Sequence, residues 1–262
     1  MSRLTGVFDR LRAAQEPGLV AYITAGDPDL AQSREIVRAI ARGGADVIEI
    51  GVPFSDPIAD GPVIQRASER ALAAGSSLTA SLALVKDVRA GVAAPIVLFT
   101  YVNPVARMGA AAFVRAAVDA GVDGVLLLDL PIEESGEMHA ALDAAGLDQI
   151  FLISPTTSQA RLREAARMGR GFLYAISRLG VTGVQAAVAG TAKPVVDAIR
   201  AVTSMPVALG FGIARPEHVR EACAYADAAV VGSALVQVIA DAAPGQAAAD
   251  AGRFVRWLKG RI

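Results

Sequence analysis

The sequence contains few cysteines, histidines and lysines, and each shortage removes a class of reactive site. Cys223 is the one cysteine in 262 residues, which excludes an internal disulfide and any metal site built from several thiolates. His139 and His218 fall in segments with helical spacing, and we expect both at the surface, so neither a metal-dependent aldolase nor a Ser-His triad is predicted. The lysines also lie in helical segments rather than at strand ends, which argues against an imine-forming aldolase.

Long apolar runs and a dominant charge are missing as well. No 18-residue segment is apolar without a charge or a glycine, so no membrane-spanning helix is predicted, and the N-terminus lacks a secretory signal. The 25 basic and 26 acidic side chains form no basic stripe, which argues against nucleic acid binding. Hydrophobic residues make up 53% of the chain, enough for a large core. The composition therefore predicts a globular cytoplasmic protein.

Short apolar runs recur along the chain, each followed by a turn and by a segment with helical spacing. Runs that are apolar throughout are typical of parallel strands covered on both faces. Several begin after a small residue and an aspartate, as in GADVIEI, GVDGVLL and YADAAVV, where the aspartate can hydrogen-bond the turn. The eight predicted strands are residues 19–24, 47–51, 96–101, 124–128, 150–153, 172–176, 207–209 and 228–231.

Eight such helix–turn–strand repeats predict an α/β protein that folds as a closed (β/α)8 barrel, the TIM barrel, with residues 1–262 as a single domain. A doubly wound open sheet is the alternative, but it does not usually repeat eight units in this length. Extra helices are predicted after the second strand, at 62–74 and 78–89, and at 2–14, where a helix can plug the bottom of the barrel. The other predicted helices are 30–42, 110–120, 158–168, 192–202 and 216–224.

The second predicted strand carries a candidate catalytic acid. Reactive groups in such barrels lie at the C-terminal ends of strands and in the loops that follow. In VIEIG, alternation places Glu49 on the face opposite Ile48 and Ile50, which is the inside of the barrel. Burial would raise the pKa of Glu49 and suit it to acid–base catalysis near neutral pH. A structural carboxylate paired with a basic residue is the alternative.

The loop after this strand, VPFSDPIADGPVIQ, holds two acids among three prolines. Prolines stiffen a loop, and long loops in these barrels carry function. Asp60 precedes Gly61 and a helical segment, so a helix cap and a catalytic carboxylate fit its position equally well. Asp56 and Pro57 are predicted to contact a partner, because a protein pressing on this loop would reposition Asp60. Shaping the turn is the alternative role for both.

Two glycine-containing turns predict a phosphate site. GFGI follows the seventh predicted strand, and GSA follows the eighth and opens a helix. Loops at these positions commonly bind phosphate through backbone N–H groups. Gly212 and Gly232 would let the anion approach and Ser233 would donate its hydroxyl, although tight turns would use the same glycines. No Walker loop or GxGxxG follows a strand, so nucleotide binding is not predicted.

Apolar residues near the strand ends predict a slot for a flat apolar group, although single aromatic residues in strands are more often part of the core. Residues 177–190 are rich in Gly and Ala without clear periodicity, and they are predicted to form a mobile lid. The slot residues are Tyr22, Phe99, Leu126, Leu128, Tyr174 and Phe211.

At these residues the sequence closely resembles the tryptophan synthase alpha chain family. The segments are AYITAGDPD, EIGVPFSDPIADGPVIQ, LLLDLPIEES, FLISPTTS, SRLGVTG, LGFGI and VVGSA, whose order and spacing cover nearly the whole chain. The resemblance implies a (β/α)8 barrel that acts as a carbon–carbon lyase of tryptophan biosynthesis. Its metal-free retro-aldol reaction would cleave indole-3-glycerol phosphate to indole and glyceraldehyde 3-phosphate.

By this resemblance Glu49 and Asp60 match two catalytic carboxylates. Asp60 would hydrogen-bond the indole N–H, while Glu49 would protonate the indole C3 and then remove the glyceryl hydroxyl proton. Closure of the lid would let Thr182 hydrogen-bond Asp60. The matching phosphate contacts are Gly183, Gly212, Gly232 and Ser233. The matching indole pocket is Tyr22, Phe99, Leu126, Leu128, Leu152, Tyr174, Thr182 and Phe211, where some relatives have Phe for Tyr22 and Leu for Phe99.

The resemblance also implies a partner, a beta chain that carries pyridoxal phosphate and receives indole through a tunnel in an α2β2 heterotetramer. No cofactor or metal is expected in the present chain. The alternatives are a stand-alone lyase that releases free indole, another phosphate-binding barrel isomerase, and a non-catalytic activating subunit. The intact pair of Glu49 and Asp60 argues against the last of these, and the set of motifs argues against an isomerase.

Overall fold

The computed structural model describes residues 2–176, 189–210 and 212–260, and eight parallel strands within them close into a barrel. Neighbouring strands pair in chain order and the last strand pairs with the first. The predicted fold class is therefore confirmed, and the predicted strand bounds agree with the observed ones to within two residues. The strands are β1 (Gly18–Thr24), β2 (Val47–Gly51), β3 (Ile96–Thr100), β4 (Gly124–Leu127), β5 (Asp148–Ile153), β6 (Leu173–Ile176), β7 (Val207–Gly210) and β8 (Ala228–Val231).

Helices other than α1 surround this barrel, and those predicted from the sequence are present. No bounds were predicted for three others, α5, α7 and α12, although His139 of α7 was expected in a helical segment. Pro104 and Gly136 lie in the first turns of α5 and α7, where they resemble breakers although a helix start tolerates both. The helices are α1 (Arg3–Ala14), α2 (Leu30–Gly43), α3 (Pro62–Ala73), α4 (Leu78–Arg89), α5 (Val102–Met108), α6 (Ala110–Ala120), α7 (Gly136–Ala144), α8 (Gln159–Met168), α9 (Ala189–Arg200), α10 (Pro216–Cys223), α11 (Ser233–Asp241) and α12 (Ala247–Leu258), with a 3-10 turn at Ile132–Glu134.

No single helix among those described is long and apolar enough to cross a membrane, although α3 and α4 reach that length and composition as a pair bent by 91°.

Helix α1 fills the barrel interior at the N-terminal ends of the strands. Leu4, Phe8 and Leu11 are buried and pack against inward-facing residues of the strands. The rings of Phe8 and Phe172 lie 5.5 Å apart between their centroids. The helix therefore plugs the bottom of the barrel, as predicted, and leaves the interior to open at the C-terminal strand ends.

Aspartates that immediately precede three strands bind α1 to the barrel. Each carboxylate accepts a hydrogen bond from an amide at the start of the preceding strand, and each also pairs with an arginine of α1. Asp46 bonds Leu19 and Arg10, Asp123 bonds Ile96 and Arg3, and Asp227 bonds Val207 and Arg12. These are the aspartates of the GAD, GVD and YAD patterns, which were predicted to hydrogen-bond their own turns but instead bond an amide of the preceding strand, 20 or 27 residues away.

Candidate active site

Glu49 lies inside the barrel, as alternation along β2 predicts. Tyr22, Glu49 and Val97 are paired in register across β1, β2 and β3, and Val97 belongs to the interior cluster. Side chains paired in register point to the same face of a sheet. The neighbouring Ile48 and Ile50 instead join the apolar layer between strands and helices. The side chain of Glu49 therefore lies inside the barrel, between the strands that flank β2.

Burial isolates the carboxyl group of Glu49. The residue is 0% exposed, and neither carboxylate oxygen has a hydrogen-bond partner among the described residues. An ionised carboxylate without partners is costly in such surroundings, and burial accordingly raises the pKa of Glu49 to about 8. The alternative of a paired structural carboxylate does not fit this environment. Glu49 is protonated at neutral pH and can supply a proton.

Asp60 ends the loop between β2 and α3 without capping the helix. The N-cap of α3 is Gly61, and no side chain of the described residues caps this helix. The carboxylate of Asp60 instead accepts a hydrogen bond at Oδ2 from the hydroxyl of Tyr101, over 2.9 Å. Asp60 is 8% exposed. The sequence left open whether Asp60 is a helix cap or a catalytic carboxylate, and the structure does not show the cap.

The two carboxyl groups prefer different protonation states. Burial raises the pKa of Asp60 to about 6, and the hydrogen bond from Tyr101 opposes that rise. At neutral pH Asp60 is therefore an anion while Glu49 is an acid. Two carboxyl groups whose surroundings separate their pKa values can divide the acid and the anionic roles of one reaction.

Tyr101 is a site residue that sequence reasoning missed. It follows β3 directly, and its hydroxyl donates to Asp60 while accepting the amide N–H of Ala59 over 3.2 Å. Its ring centroid lies 4.9 Å from that of Phe54. Tyr101 thus holds both ends of the loop 52–61. The available signal was its position directly after a strand, but residue 101 was assigned to the strand itself.

Apolar side chains line the open end of the barrel around the carboxyl groups. Leu126 is buried deep in the interior cluster, and Phe99, Leu128 and Tyr174 are partly buried against that cluster. Leu152 pairs in register with Tyr174 and is also partly exposed. Because interior residues nearer the strand starts are fully buried, partial exposure marks a cup that opens to solvent. The structure brings these predicted slot residues together.

Two glycines make room for tyrosine rings in this cup. A Cβ on Gly51 would lie 2.1 Å from the hydroxyl of Tyr22, and a Cβ on Gly210 would lie 2.8 Å from the ring of Tyr174. The ring of Tyr22 also packs edge to face against Phe99, with centroids 5.5 Å apart. Each tyrosine lies across the neighbouring strand, which is possible because that strand carries no side chain there.

The glycines predicted to bind phosphate follow β7 and β8. Gly212 has a φ of +61°, in the left-handed region that favours glycine. Gly232 is the N-cap of α11, and within the described part of the chain no side chain caps this helix. A Cβ on Gly232 would make an ordinary van der Waals contact with Tyr22 at 3.9 Å, so a Cβ fits there without a clash. Ser233 begins α11, and the N–H groups at a helix start suit an anion.

Three predicted site residues, Thr182, Gly183 and Phe211, lie outside the described residues. The predicted lid at 177–190 falls outside them as well, except for its last two positions in α9.

The loop between β2 and α3 also presents an outward surface. Asp56 is exposed and Pro57 is partly exposed. Ile58 is 86% exposed, and sequence reasoning missed it. The amide of Gln65 on α3 donates to the backbone oxygens of Pro57 and Asp60, over 3.3 and 2.9 Å, which holds the loop against the helix. The signal for Ile58 was a large apolar residue between the two aspartates of a proline-bearing loop.

His218 corrects the expectation that both histidines lie at the surface. It is 4% exposed on α10, whereas His139 is partly exposed. The Nδ1 atom of His218 accepts the amide of Ala214 over 3.3 Å, and its Nε2 atom lies 3.1 Å from a guanidinium nitrogen of Arg215. A ring with such contacts can be buried. Across the described ranges, no three His, Cys, Asp or Glu side chains cluster as metal ligands.

Comparisons with known proteins agree with this geometry. The family model described as tryptophan synthase alpha chain matches residues 8–256. The tryptophan synthase alpha chain of Geotalea uraniireducens is 48% identical over 262 residues, covering 100% of this chain and 98% of that protein. The solved tryptophan synthase of Mycobacterium tuberculosis superposes with a TM-score of 0.92 at 36% identity, covering 100% and 98%. Tryptophan synthase subunit alpha of Legionella pneumophila gives 0.89 at 34%, also covering 100% and 98%.

Substituting Glu49→Gln should reduce the dependence of the unfolding free energy on pH. The pKa of Glu49 rises from 4.5 to about 8 on folding, so its contribution to stability is complete below pH 4.5 and is lost as the pH rises towards 8. Relative to the variant, the wild type should lose on the order of 1 kcal/mol per pH unit in this range. Denaturant unfolding at pH 5 and at pH 8 measures the difference.

The exposed carboxylate of Glu133 provides the matched control. Glu133→Gln should show the pH dependence of the wild type. If Glu49→Gln also showed the pH dependence of the wild type, the pKa of Glu49 would be ordinary and burial of its carboxyl group would not affect the unfolding free energy.

Proposed function

Because this chain belongs to the tryptophan synthase alpha chain family, we propose that it cleaves indole-3-glycerol phosphate to indole and glyceraldehyde 3-phosphate. The carrying observation is the pair of carboxyl groups in one apolar cup, with the pKa of Glu49 raised to about 8 and that of Asp60 to about 6. A carbon–carbon lyase of this kind needs one proton donor and one anion. The proposed unit is the single barrel of residues 1–262.

The first step makes the indole ring a leaving group. Glu49 transfers its proton to C3 of the ring, which forms an indolenine with positive charge at the ring nitrogen. The Asp60 carboxylate accepts a hydrogen bond from the ring N–H and stabilises that charge. Oδ2 of Asp60 is engaged by Tyr101, whereas Oδ1 has no partner among the described residues and is available to the substrate.

The second step breaks the carbon–carbon bond. Glu49, now a carboxylate, removes the proton from the hydroxyl on the carbon attached to C3. The electrons of the breaking bond return to the indole ring, and the oxygen becomes the aldehyde carbonyl. Glu49 ends the cycle protonated, so the pair requires neither a metal nor an imine.

Substrate placement follows from the walls of the cup. The apolar side chains around Glu49 would hold the indole ring, and the amides at Gly212 and Gly232 with Ser233 would hold the phosphate. Thr182, Gly183 and Phe211 are proposed to complete the site from the segments that carry the predicted lid and the turn after β7. Closure of that lid would add Thr182 as a hydrogen-bond partner of Asp60.

The proposed partner is a tryptophan synthase beta chain, which would hold pyridoxal phosphate and receive indole in an α2β2 assembly. Support comes from the loop 52–61, which carries exposed Asp56 and Ile58 on one side and Asp60 on the other. Ile58 is the most exposed large apolar side chain of the described residues, and a partner that covered it would remove apolar surface from water. A partner bound to this loop would act on Asp60 through two residues of stiff backbone, so the complex should turn over faster than the isolated chain.

Removing either carboxyl group should abolish most of the cleavage. Glu49→Gln and Asp60→Asn keep the shape of the side chains, so substrate binding should stay measurable while kcat falls by roughly 100- to 10,000-fold. The wild-type rate should be highest between about pH 6 and 8, where Asp60 is ionised and Glu49 is protonated. Indole release, followed across pH, measures both expectations.

Glu133→Gln again serves as the control, since this exposed carboxylate lies near the C-terminal end of β4 and should not change kcat. A near-normal kcat for Glu49→Gln or Asp60→Asn would remove that residue from the mechanism.

Substituting Gly232→Val should weaken phosphate binding without disturbing the fold. A Cβ at this position makes only ordinary van der Waals contacts, at 3.9 Å or more, and the side chain would stand before the N-terminal amides of α11. The KM for indole-3-glycerol phosphate should rise by at least about tenfold, while the Kd for indole alone stays near the wild-type value. Equal binding of glycerol phosphate by variant and wild type would place the anion elsewhere.

Substituting Ile58→Ser should weaken the complex with a cognate beta chain and leave the isolated chain unchanged. Burial of an isoleucine contributes about 1.5–3 kcal/mol, so the Kd should rise by roughly 10- to 150-fold in sedimentation experiments. Val118→Ser, at an exposed apolar site on α6, is the control. If no complex formed with the wild type and turnover were independent of the beta chain, a stand-alone lyase would be the better reading.

A further inference from the structure

The proposed reaction uses the ring of Tyr22 as an apolar wall and gives its hydroxyl no role. Tyr22 is 6% exposed. Among the described residues, the polar contact of its hydroxyl is with Oγ1 of Thr24 over 3.5 Å, at the limit of hydrogen-bond distance. A tyrosine hydroxyl can donate one hydrogen bond and accept others, and buried hydroxyls are normally bonded. The hydroxyl of Tyr22 therefore has capacity for a ligand.

The hydroxyl lies beside Glu49 on the side that faces the open end of the barrel. Tyr22 pairs with Glu49 in register, and its ring crosses to β2 at Gly51. Gly51 follows Glu49 by two residues and therefore shares its face of the strand. Burial, and then the charges of Asp60 and Glu49, raise the pKa of Tyr22 well above its usual value. The hydroxyl thus keeps its proton and remains a donor.

We propose that the hydroxyl of Tyr22 donates a hydrogen bond to the glyceryl oxygen from which Glu49 removes a proton, which makes Tyr22 a third catalytic residue. This role rests on the proposed lyase function. Proton transfer requires that oxygen to come within hydrogen-bond reach of Glu49. Since the Tyr22 hydroxyl lies beside the Glu49 side chain, the glyceryl oxygen of the substrate then comes next to the Tyr22 hydroxyl.

The hydrogen bond would act on the charge that the second step creates. As the hydroxyl proton of the substrate passes to Glu49, negative charge grows on the oxygen until the carbon–carbon bond breaks and the carbonyl forms. A donor already fixed beside that oxygen stabilises the charge in the transition state. The proton of Tyr22 stays on the tyrosine throughout. Because some relatives have Phe here, the donor adds to the action of the two carboxyl groups and does not replace either.

The test compares the wild-type chain with Tyr22→Phe, which keeps the ring and removes the hydroxyl. We expect kcat for indole-3-glycerol phosphate to fall by about tenfold, with the KM and the Kd for indole within about twofold of the wild type. The reverse condensation of indole with glyceraldehyde 3-phosphate should slow by the same factor. Tyr225→Phe removes a hydroxyl just before β8, at the plugged end of the barrel, and should leave every value unchanged.

A second variant separates the donor from its protein contact. Thr24→Val removes the partner of the Tyr22 hydroxyl but keeps the donor, so kcat should stay within about twofold of the wild type. A loss of kcat equal to that of Tyr22→Phe would mean that the hydroxyl acts through Thr24, and the proposal would be wrong. It would also be wrong if Tyr22→Phe changed the Kd for free indole by more than about twofold. A kcat for Tyr22→Phe equal to that of an active wild type would overturn it as well. An inactive wild type would overturn the lyase function together with this role.

Discussion

The burial of the Glu49 carboxyl group, without a hydrogen-bond partner among the described residues, is the constraint on which the rest of the site depends. An acid in such a place keeps its proton at neutral pH, and the neutral acid is the form that can protonate a carbon atom. A closed barrel provides this isolation, because helices cover the outer face of β2 and strands β1 and β3 pair with it on either side. With α1 plugging the strand starts, the interior can open at the other end, where Glu49 meets the cup.

Asp60 needs the opposite protonation state, because in the proposed reaction it acts as an anion within a largely apolar cup. The structure places it on a loop rather than on a strand, within reach of the hydroxyl of Tyr101. That hydroxyl lowers the pKa of Asp60 against the effect of burial. The aromatic contact between Tyr101 and Phe54 and the amide contacts of Gln65 fix the loop. The arrangement places Asp60, the proposed catalytic anion, and the exposed Ile58 two residues apart on one loop.

Tyrosines at the cup combine packing with polar chemistry. Tyr22 and Tyr174 each cross a neighbouring strand at a glycine, so their rings wall the cup while their hydroxyls stay near the carboxyl groups. The electrostatic influence of Glu49 on both hydroxyls reflects this proximity. The site is thus an apolar container with a few polar atoms at chosen points, which suits a substrate with an aromatic ring at one end and a phosphate at the other.

The sequence by itself determined the strands, the barrel and the inward direction of Glu49, because each follows from local periodicity and from short-range backbone geometry. Asp60 stayed undecided between cap and site, since both roles fit one local sequence. Tyr101 and the burial of His218 were missed, because the partner of Tyr101 lies 41 residues away and the burial of His218 depends on how α10 packs. Tertiary structure alone decided which polar groups meet and how deeply each is buried, because contacts between distant segments and exclusion of water exist only after the chain closes on itself.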